Sequence, residues 1–244
     1  MIQSLIDRFR PVSRPAQLDC ATPEEVEAAE FAFYKAFLKP CMTAFDVGAN
    51  RGEVTRRFAK LVGTGGYVHA FEPCAATYQR LRQRFDGPPV QLHHMAIGET
   101  VGQAKLNVYD EEHDTWNTLA NRPLEDYGIN VRPQSIEEVP VTTLDRFCEE
   151  HDIQRIDLLK IDIEGAELQA LRGARGLMQE KRIGVILFEF GQTTFDMGNT
   201  PDEFISLLDD CGYQLGNLVN NDPVFPGGES AKTAQFSMMV AGPR

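Results

Sequence analysis

AFDVGANRG, residues 44–52, reads as a short apolar strand entering a turn that carries Gly48, Asn50 and Gly52. The next ten residues, EVTRRFAKLV (53–62), repeat apolar side chains at helical spacing. Strand, glycine turn and helix in this order form the opening of a nucleotide-binding α/β unit. Without a Cβ, Gly48 and Gly52 let the backbone turn sharply and a ligand approach the peptide groups and the helix start.

The turn departs from the dinucleotide fingerprint G-x-G-x-x-G, which seats a pyrophosphate on a helix N-terminus. Here the order is Gly48, Ala49, Asn50, Arg51, Gly52, with Asp46 two places before the first glycine. The middle glycine is missing. An acid at the strand end suits a ligand with a cationic ammonium and no pyrophosphate, such as the amino-acid end of S-adenosylmethionine. YVHAFEP (67–73) gives a second strand stopped by Pro73, with Glu72 at its tip, 20 residues beyond Gly52. An acid at this offset can accept hydrogen bonds from both hydroxyls of an adenosine ribose.

Farther along, AATYQRLRQRF (75–85) is an amphipathic crossover helix and PPVQLHHMAIG (88–98) a third strand. Right-handed crossovers then place the three strands side by side in a parallel sheet, with ligands at their C-terminal ends. His93 and His94 face opposite ways on an extended strand, so at most one faces the cleft. RIDLLKID (155–162) and the almost wholly apolar RIGVILFEF (182–190) read as further strands, ending near Asp162 and at Glu189. YQLGNLV (213–219) and TAQFSMMV (233–240) close the sheet as a hairpin. Helices start at the cap signatures Thr22-Pro23-Glu24-Glu25 and Thr200-Pro201-Asp202-Glu203, and Thr142 is read as the cap of LDRFCEEH (144–151). Glu167, in the first turn of a helix, has a sufficient electrostatic reason to be there.

The motifs AFDVGANRG, AFEP (70–73), LLKIDIEGAE (158–167) and ILFEF (186–190) together resemble the FkbM-type S-adenosylmethionine-dependent methyltransferases, from about Phe33 to the C-terminus. The resemblance implies an α/β fold of the Rossmann-like class I methyltransferase type: a mostly parallel seven-stranded sheet, helices on both faces, and an inserted loop and strand segment after strand 3. It also implies O-methylation of a hydroxyl on a sugar, polyketide or other small-molecule or glycan acceptor. Cofactor contacts are expected from Asp46, Gly48, Ala49, Asn50 and Gly52 at the turn, Glu72 and Pro73 at the second strand tip, Met95 and Ala96 near the adenine, and Asp162. The family's small-polar-Leu element is matched by Asn117-Thr118-Leu119.

Residues 99–142 interrupt the alternation of strand and helix, with short strands at KLNVY (105–109) and EEVPVTT (137–143) around a long polar stretch. A segment of this kind is expected to cover the acceptor. It holds the only tryptophan, Trp116, whose indole suits stacking on a ring face, with His113 and Asn117 beside it; anchoring the loop to the core is an equal alternative for Trp116.

Methyl transfer to a hydroxyl needs positioning and a proton acceptor. Asp162, Glu164, Glu189 and His94 are the candidates, with Asp162 alternatively holding the cofactor ammonium. A divalent cation on Asp162 and Glu189, as in catechol-type O-methyltransferases, is a minority alternative. Two other classes compete: a non-catalytic nucleotide-binding Rossmann module, and an NAD-dependent oxidoreductase, which the missing glycine disfavours.

The composition bounds these readings. With 244 residues, 42% of them hydrophobic, the chain can bury one substantial core, and a single domain over 22–244 is expected after an arm at 1–21 with one amphipathic turn around Leu5, Ile6 and Phe9. A net charge of -12 disfavours nucleic acid and anionic membranes as partners. Five scattered cysteines suit a reducing cytoplasm, and no apolar run approaches membrane-spanning length. Homo-oligomerisation is left open.

Overall fold

Pro23–Phe37 (α1) begins with the expected capping box: Thr22 N donates to Glu25 Oε2 at 2.8 Å, and Glu25 N donates back to Thr22 Oγ1 at 3.3 Å. The structure, a computed structural model, describes residues 21–227 and 236–244. The arm expected at 1–21 therefore lies outside the described residues except for Ala21, and the hairpin's second strand is described only from Phe236. After α1 the chain alternates: β1 (Thr43–Val47), α2 (Glu53–Val62), β2 (Tyr67–Phe71), α3 (Ala75–Arg84) and β3 (Val90–His93). The inserted segment holds β4 (Ala96–Ile97), β5 (Gly102–Val108) and β6 (Ser135–Thr142). Alternation resumes with α4 (Leu144–Glu150), β7 (Ile156–Ile161), α5 (Glu167–Arg172), α6 (Arg175–Gln179), β8 (Ile183–Gly191), α7 (Gln192–Asp196), α8 (Pro201–Asp210), β9 (Tyr213–Asn217) and β10 (Phe236–Pro243).

Seven strands form the main sheet in the order β3-β2-β1-β7-β8-β10-β9. The pairs β2 with β3, β1 with β2, β1 with β7 and β7 with β8 are parallel, whereas β10 runs antiparallel to β8 and β9. Strand alternation sorts the side chains onto two faces. Phe45, Phe71, Leu159, Ile161 and Phe188 pack with α4, α5, α6 and α8. Ala44, Val68, Leu158 and Leu187 pack with α1 and α2 on the other face, where Phe33, Tyr34 and Phe37 are buried against the sheet. Among the described residues no helix is long and apolar enough to cross a membrane.

Two local expectations change. The third strand does not run unbroken over 88–98: β3 ends at His93, and Ala96–Ile97 pairs instead with Val141–Thr142 in a second, three-stranded sheet, β4-β6-β5. The pairing of β5 with β6 over Gly102–Val108 and Ser135–Thr142 gives those residues a ladder that the main sheet does not offer. The cap of α4 is Thr143, whose hydroxyl accepts from Arg146 N at 3.1 Å; Thr142 is spent as the last residue of β6.

Candidate active site

In an open α/β sheet, ligands bind beyond the carboxyl ends of the strands where the strand order reverses. Here that point lies between β1 and β7. A cavity of about 410 Å³ opens there, a size suited to a cofactor or drug-sized ligand, and its wall includes Gly48, Glu72, Lys160, Asp162, Glu164 and Glu189.

The glycine turn is built by contacts within the protein. Gly48 has φ +90°, and a Cβ there would lie 1.9 Å from the carbonyl oxygen of Asp162. The missing side chain makes room for the β7 backbone, so that β1 and β7 converge, and the close approach is to the chain itself where the sequence suggested a ligand. Gly48, Ala49 and Asn50 line the cavity; Gly52, at φ +79°, does not, because Leu81 and Phe85 fill the space beside it.

Glu72 is 4% exposed at the tip of β2. Asn50 N donates to its Oε2 at 2.9 Å and Cys74 N to its Oε1 at 2.8 Å, while burial pushes its carboxyl up to about 7 against the pull of those two amides. Glu72 thus braces the turn and still presents its carboxylate to the cavity, with Pro73, Met95 and Ala96 on the same wall.

Asp46 departs from expectation. It is completely buried, does not line the cavity, and accepts from Thr55 Oγ1 at 2.5 Å through Oδ2, leaving Oδ1 without a hydrogen-bond partner. Its cross-strand neighbour is Lys160, a residue that sequence reading passed over. Lys160 is 3% exposed, and its Nζ donates to Asp162 Oδ2 at 2.8 Å. Although burial works against it, Asp162, Glu30 and Asp46 hold the ammonium above the usual lysine range. The available signal was a lysine inside the apolar run LLKID, where an unpaired charge is costly.

Three acids converge on the cavity. The register of β7 on β8 pairs Ile161 with Phe188, and one step farther it sets Asp162 beside Glu189. Glu164 follows in a turn at φ +54°, held by Thr118 Oγ1 donating to its carbonyl at 2.6 Å. Asp162, Glu164 and Glu189 offer oxygens that all lie within 4.8 Å of one another. Burial first, and then the charge of Asp162, raises the proton affinity of Glu164 and Glu189 above the ordinary glutamate range. Glu167 stays out of this group: its Oε1 accepts from Ile163 N at 3.0 Å and Gly165 N at 3.2 Å and shapes the turn.

The structure does not bring His94 to this cluster. Its ring stacks on Tyr78, centroids 4.6 Å apart, and the residue is exposed outside the cavity, because the chain leaves β3 at His93. His93 packs against His69, Phe71 and Phe147 on the opposite face.

Of the inserted segment, Asn117, Thr118 and Leu119 line the cavity, but His113 and Trp116 do not. Trp116 packs against His113 and Tyr109, with the Arg122 guanidinium 5.6 Å from its ring, so it anchors the loop. Asn117 Oδ1 accepts from Tyr109 N at 2.8 Å. Asp114 and Arg51, which the sequence did not single out, also line the cavity.

The donor set fits S-adenosylmethionine. An acidic cavity with one lysine suits an ammonium and a sulfonium, and the buried carboxylate of Glu72 on its wall suits a ribose diol.

Comparison with known proteins agrees with this geometry. The Methyltransferase FkbM domain family matches residues 46–215. A 31-O-demethyl-FK506 methyltransferase, FkbM, from Streptomyces tacrolimicus is 27% identical over 219 residues, 81% of each chain. The 2-O-methyltransferase NoeI of Sinorhizobium fredii (strain NBRC 101917 / NGR234) is 26% identical over 172 residues, covering 67% of this chain and 69% of its own. A crystal structure of a methyltransferase FkbM from Methylobacillus flagellatus KT aligns with a TM-score of 0.48 at 18% identity, over 98% of this chain and 57% of that protein's length. The glycine turn, the acidic strand tips and the match over 46–215 are one finding: the chain belongs to the FkbM family of S-adenosylmethionine-dependent methyltransferases.

Proposed function

We propose that this protein is an O-methyltransferase that methylates a hydroxyl of a small-molecule or glycan acceptor. The observation that carries the reading is the convergence of Asp162, Glu164 and Glu189 within 4.8 Å at the ends of β7 and β8. Adjacent carboxylates repel unless they meet a cation or a proton, and a hydroxyl that becomes an ether must give up a proton. The O-methyltransferase names of the Streptomyces and Sinorhizobium relatives support the same chemistry.

When bound, S-adenosylmethionine supplies a methyl group on a sulfonium, activated for in-line displacement. Glu72 would hold the ribose hydroxyls. Asp162, oriented by Lys160, is the cavity acid available to the cofactor's ammonium, the alternative role read for it from the sequence beside Asp46. Glu164, which pairs with Arg122 at 3.7 Å, and Glu189, both with raised proton affinity, take the acceptor's proton. Asn117 and Thr118 border the acceptor side.

The test is calorimetry with S-adenosylmethionine, its demethylated product S-adenosylhomocysteine and NAD, followed by isotopic methyl transfer to a panel of sugars and polyketide alcohols. Binding of NAD alone overturns the reading. Glu164→Gln and Glu189→Gln should each lower transfer by about 100-fold, the scale of a removed general base, with cofactor affinity retained. A divalent cation held by the same three acids is the second reading, favoured by the mutual approach of their oxygens. Activity that disappears with a chelator and returns with magnesium selects the cation; indifference to the chelator selects direct proton transfer.

A further inference from the structure

Asp114 stands in the first 3-10 turn of the inserted segment, Asp114–Trp116, and is 3% exposed. A carboxylate is costly to bury unless it is paired, and here two arginines from two different elements pair with it. Arg51, inside the glycine turn, reaches its Oδ1 at 3.0 Å through Nη2. Arg80, on α3, donates to its Oδ2 at 2.8 Å. Asn50 adds a third link, its side-chain amide donating to the Asp114 carbonyl at 3.0 Å.

These links have a direction. The Asn50 backbone N–H also binds Glu72, so a continuous chain of hydrogen bonds runs from the tip of β2 through the glycine turn into the inserted segment. Arg51 further donates to the Glu111 carbonyl at 3.0 Å, and Arg80 approaches the Glu111 carboxylate at 3.5 Å. Asn50, Arg51, Asp114 and Thr115 share one wall of the cavity, together with Glu72. Arg80 lies outside that wall and both arginines are half-exposed, so their charge serves chiefly to hold Asp114 in place.

We propose that Asp114 is a positioning residue of the cofactor site, tying residues 110–119 to the glycine turn and α3 so that cofactor binding and docking of this segment are a single event. This inference rests on the reading of the cavity as the cofactor site. It separates the inserted segment into two functions: its first turn closes the cofactor end, and only the stretch from Asn117 onward borders the acceptor. Docking of the segment leaves the Asn50 and Glu72 groups preset, and ligand binding to a preset wall does not bear its ordering cost.

The experiment is calorimetry with S-adenosylhomocysteine on wild type, Asp114→Ala and Arg80→Met, with amide hydrogen exchange over 110–119. Losing the charge-assisted anchor should weaken S-adenosylhomocysteine about tenfold or more in Asp114→Ala, with a smaller loss in the same direction for Arg80→Met. Exchange over 110–119 should slow on adding S-adenosylhomocysteine to wild type and stay fast in Asp114→Ala. Arg80 is partly exposed and outside the cavity, so Arg80→Met answers the question if Asp114→Ala does not fold. Wild-type affinity in the variants, or exchange over 110–119 indifferent to the ligand in wild type, overturns the inference. Failure of the wild type itself to bind S-adenosylhomocysteine overturns the cofactor-site reading, and this inference with it.

Discussion

Replacing Glu72 separates a brace from a ligand group, because the structure gives this carboxylate both tasks. Its two oxygens accept from Asn50 N and Cys74 N at 2.9 and 2.8 Å, and it is 4% exposed. Hydrogen bonds to a charged group contribute about 1.5–3 kcal/mol each, so two set an upper bound of roughly 3–6 kcal/mol on the brace. Water entering from the cavity can solvate the freed amides, which brings the expected loss of folding stability for Glu72→Ala to about 2–3 kcal/mol. If the same carboxylate receives the ribose hydroxyls, affinity for S-adenosylhomocysteine falls as well, by about 1.5–3 kcal/mol, or roughly 10- to 150-fold. Glu72→Gln keeps one acceptor oxygen, and its amide can donate to a ribose oxygen, so its affinity loss should be smaller than that of alanine. Urea unfolding measures the first quantity and calorimetry the second. A stability loss with unchanged affinity in Glu72→Ala would confine Glu72 to bracing the turn, and no change in either would refute the reasoning about this strand tip altogether.

Gly48→Ala should abolish cofactor binding and destabilise the fold by more than about 3 kcal/mol, because the new methyl would sit 1.9 Å from the Asp162 carbonyl at a positive φ; near-wild-type unfolding would show that β1 and β7 can separate there. Stability of the cofactor-free protein should rise as pH falls from about 8 towards 6.5, because Glu72 and Glu167, both pushed up to about 7 from an ordinary 4.5, hold protons that the unfolded chain releases. Their stabilisation is complete below 4.5 and is lost as pH rises through 7. Between about 6.5 and 4.5 this gain is offset, since burial depresses His69 to about 4 and His93 to about 3 while the unfolded histidines take up protons. The thermal unfolding midpoint should therefore fall from about pH 6.5 towards pH 8 and level off between about 6.5 and 4.5, and a monotonic rise towards pH 8 would contradict these burials. Arg122→Gln should loosen the inserted segment, because Arg122 lies between Glu164 at 3.7 Å and Asp196 at 3.5 Å; faster proteolysis within 120–130 checks this, and unchanged cleavage refutes it.

AFDVGANRG, AFEP, LLKIDIEGAE and ILFEF were legible without coordinates, because each joins a short, nearly continuous apolar strand to a strand-end acid or a glycine turn, and both are local properties of the chain. The parallel, side-by-side placement of the first three strands followed from right-handed crossovers, and the inserted pair of strands from its β-rich ends. The two capping boxes were equally local, each needing only residues three apart. The tertiary structure decided what depended on residues distant in sequence. Asp46 looked like a ligand group at a strand end, but Thr55 and Lys160 enclose it. Gly48 is required by a carbonyl 114 residues away. His94 and Trp116 carried plausible chemistry, yet the end of β3 and the packing of Tyr109 and Arg122 turn them from the cavity. Asp114 carried no local signal at all, since its meaning comes from Arg51 and Arg80, 63 and 34 residues away. Sequence periodicity reports which way a backbone faces water; the partner of a buried charge is set by which strands and loops meet.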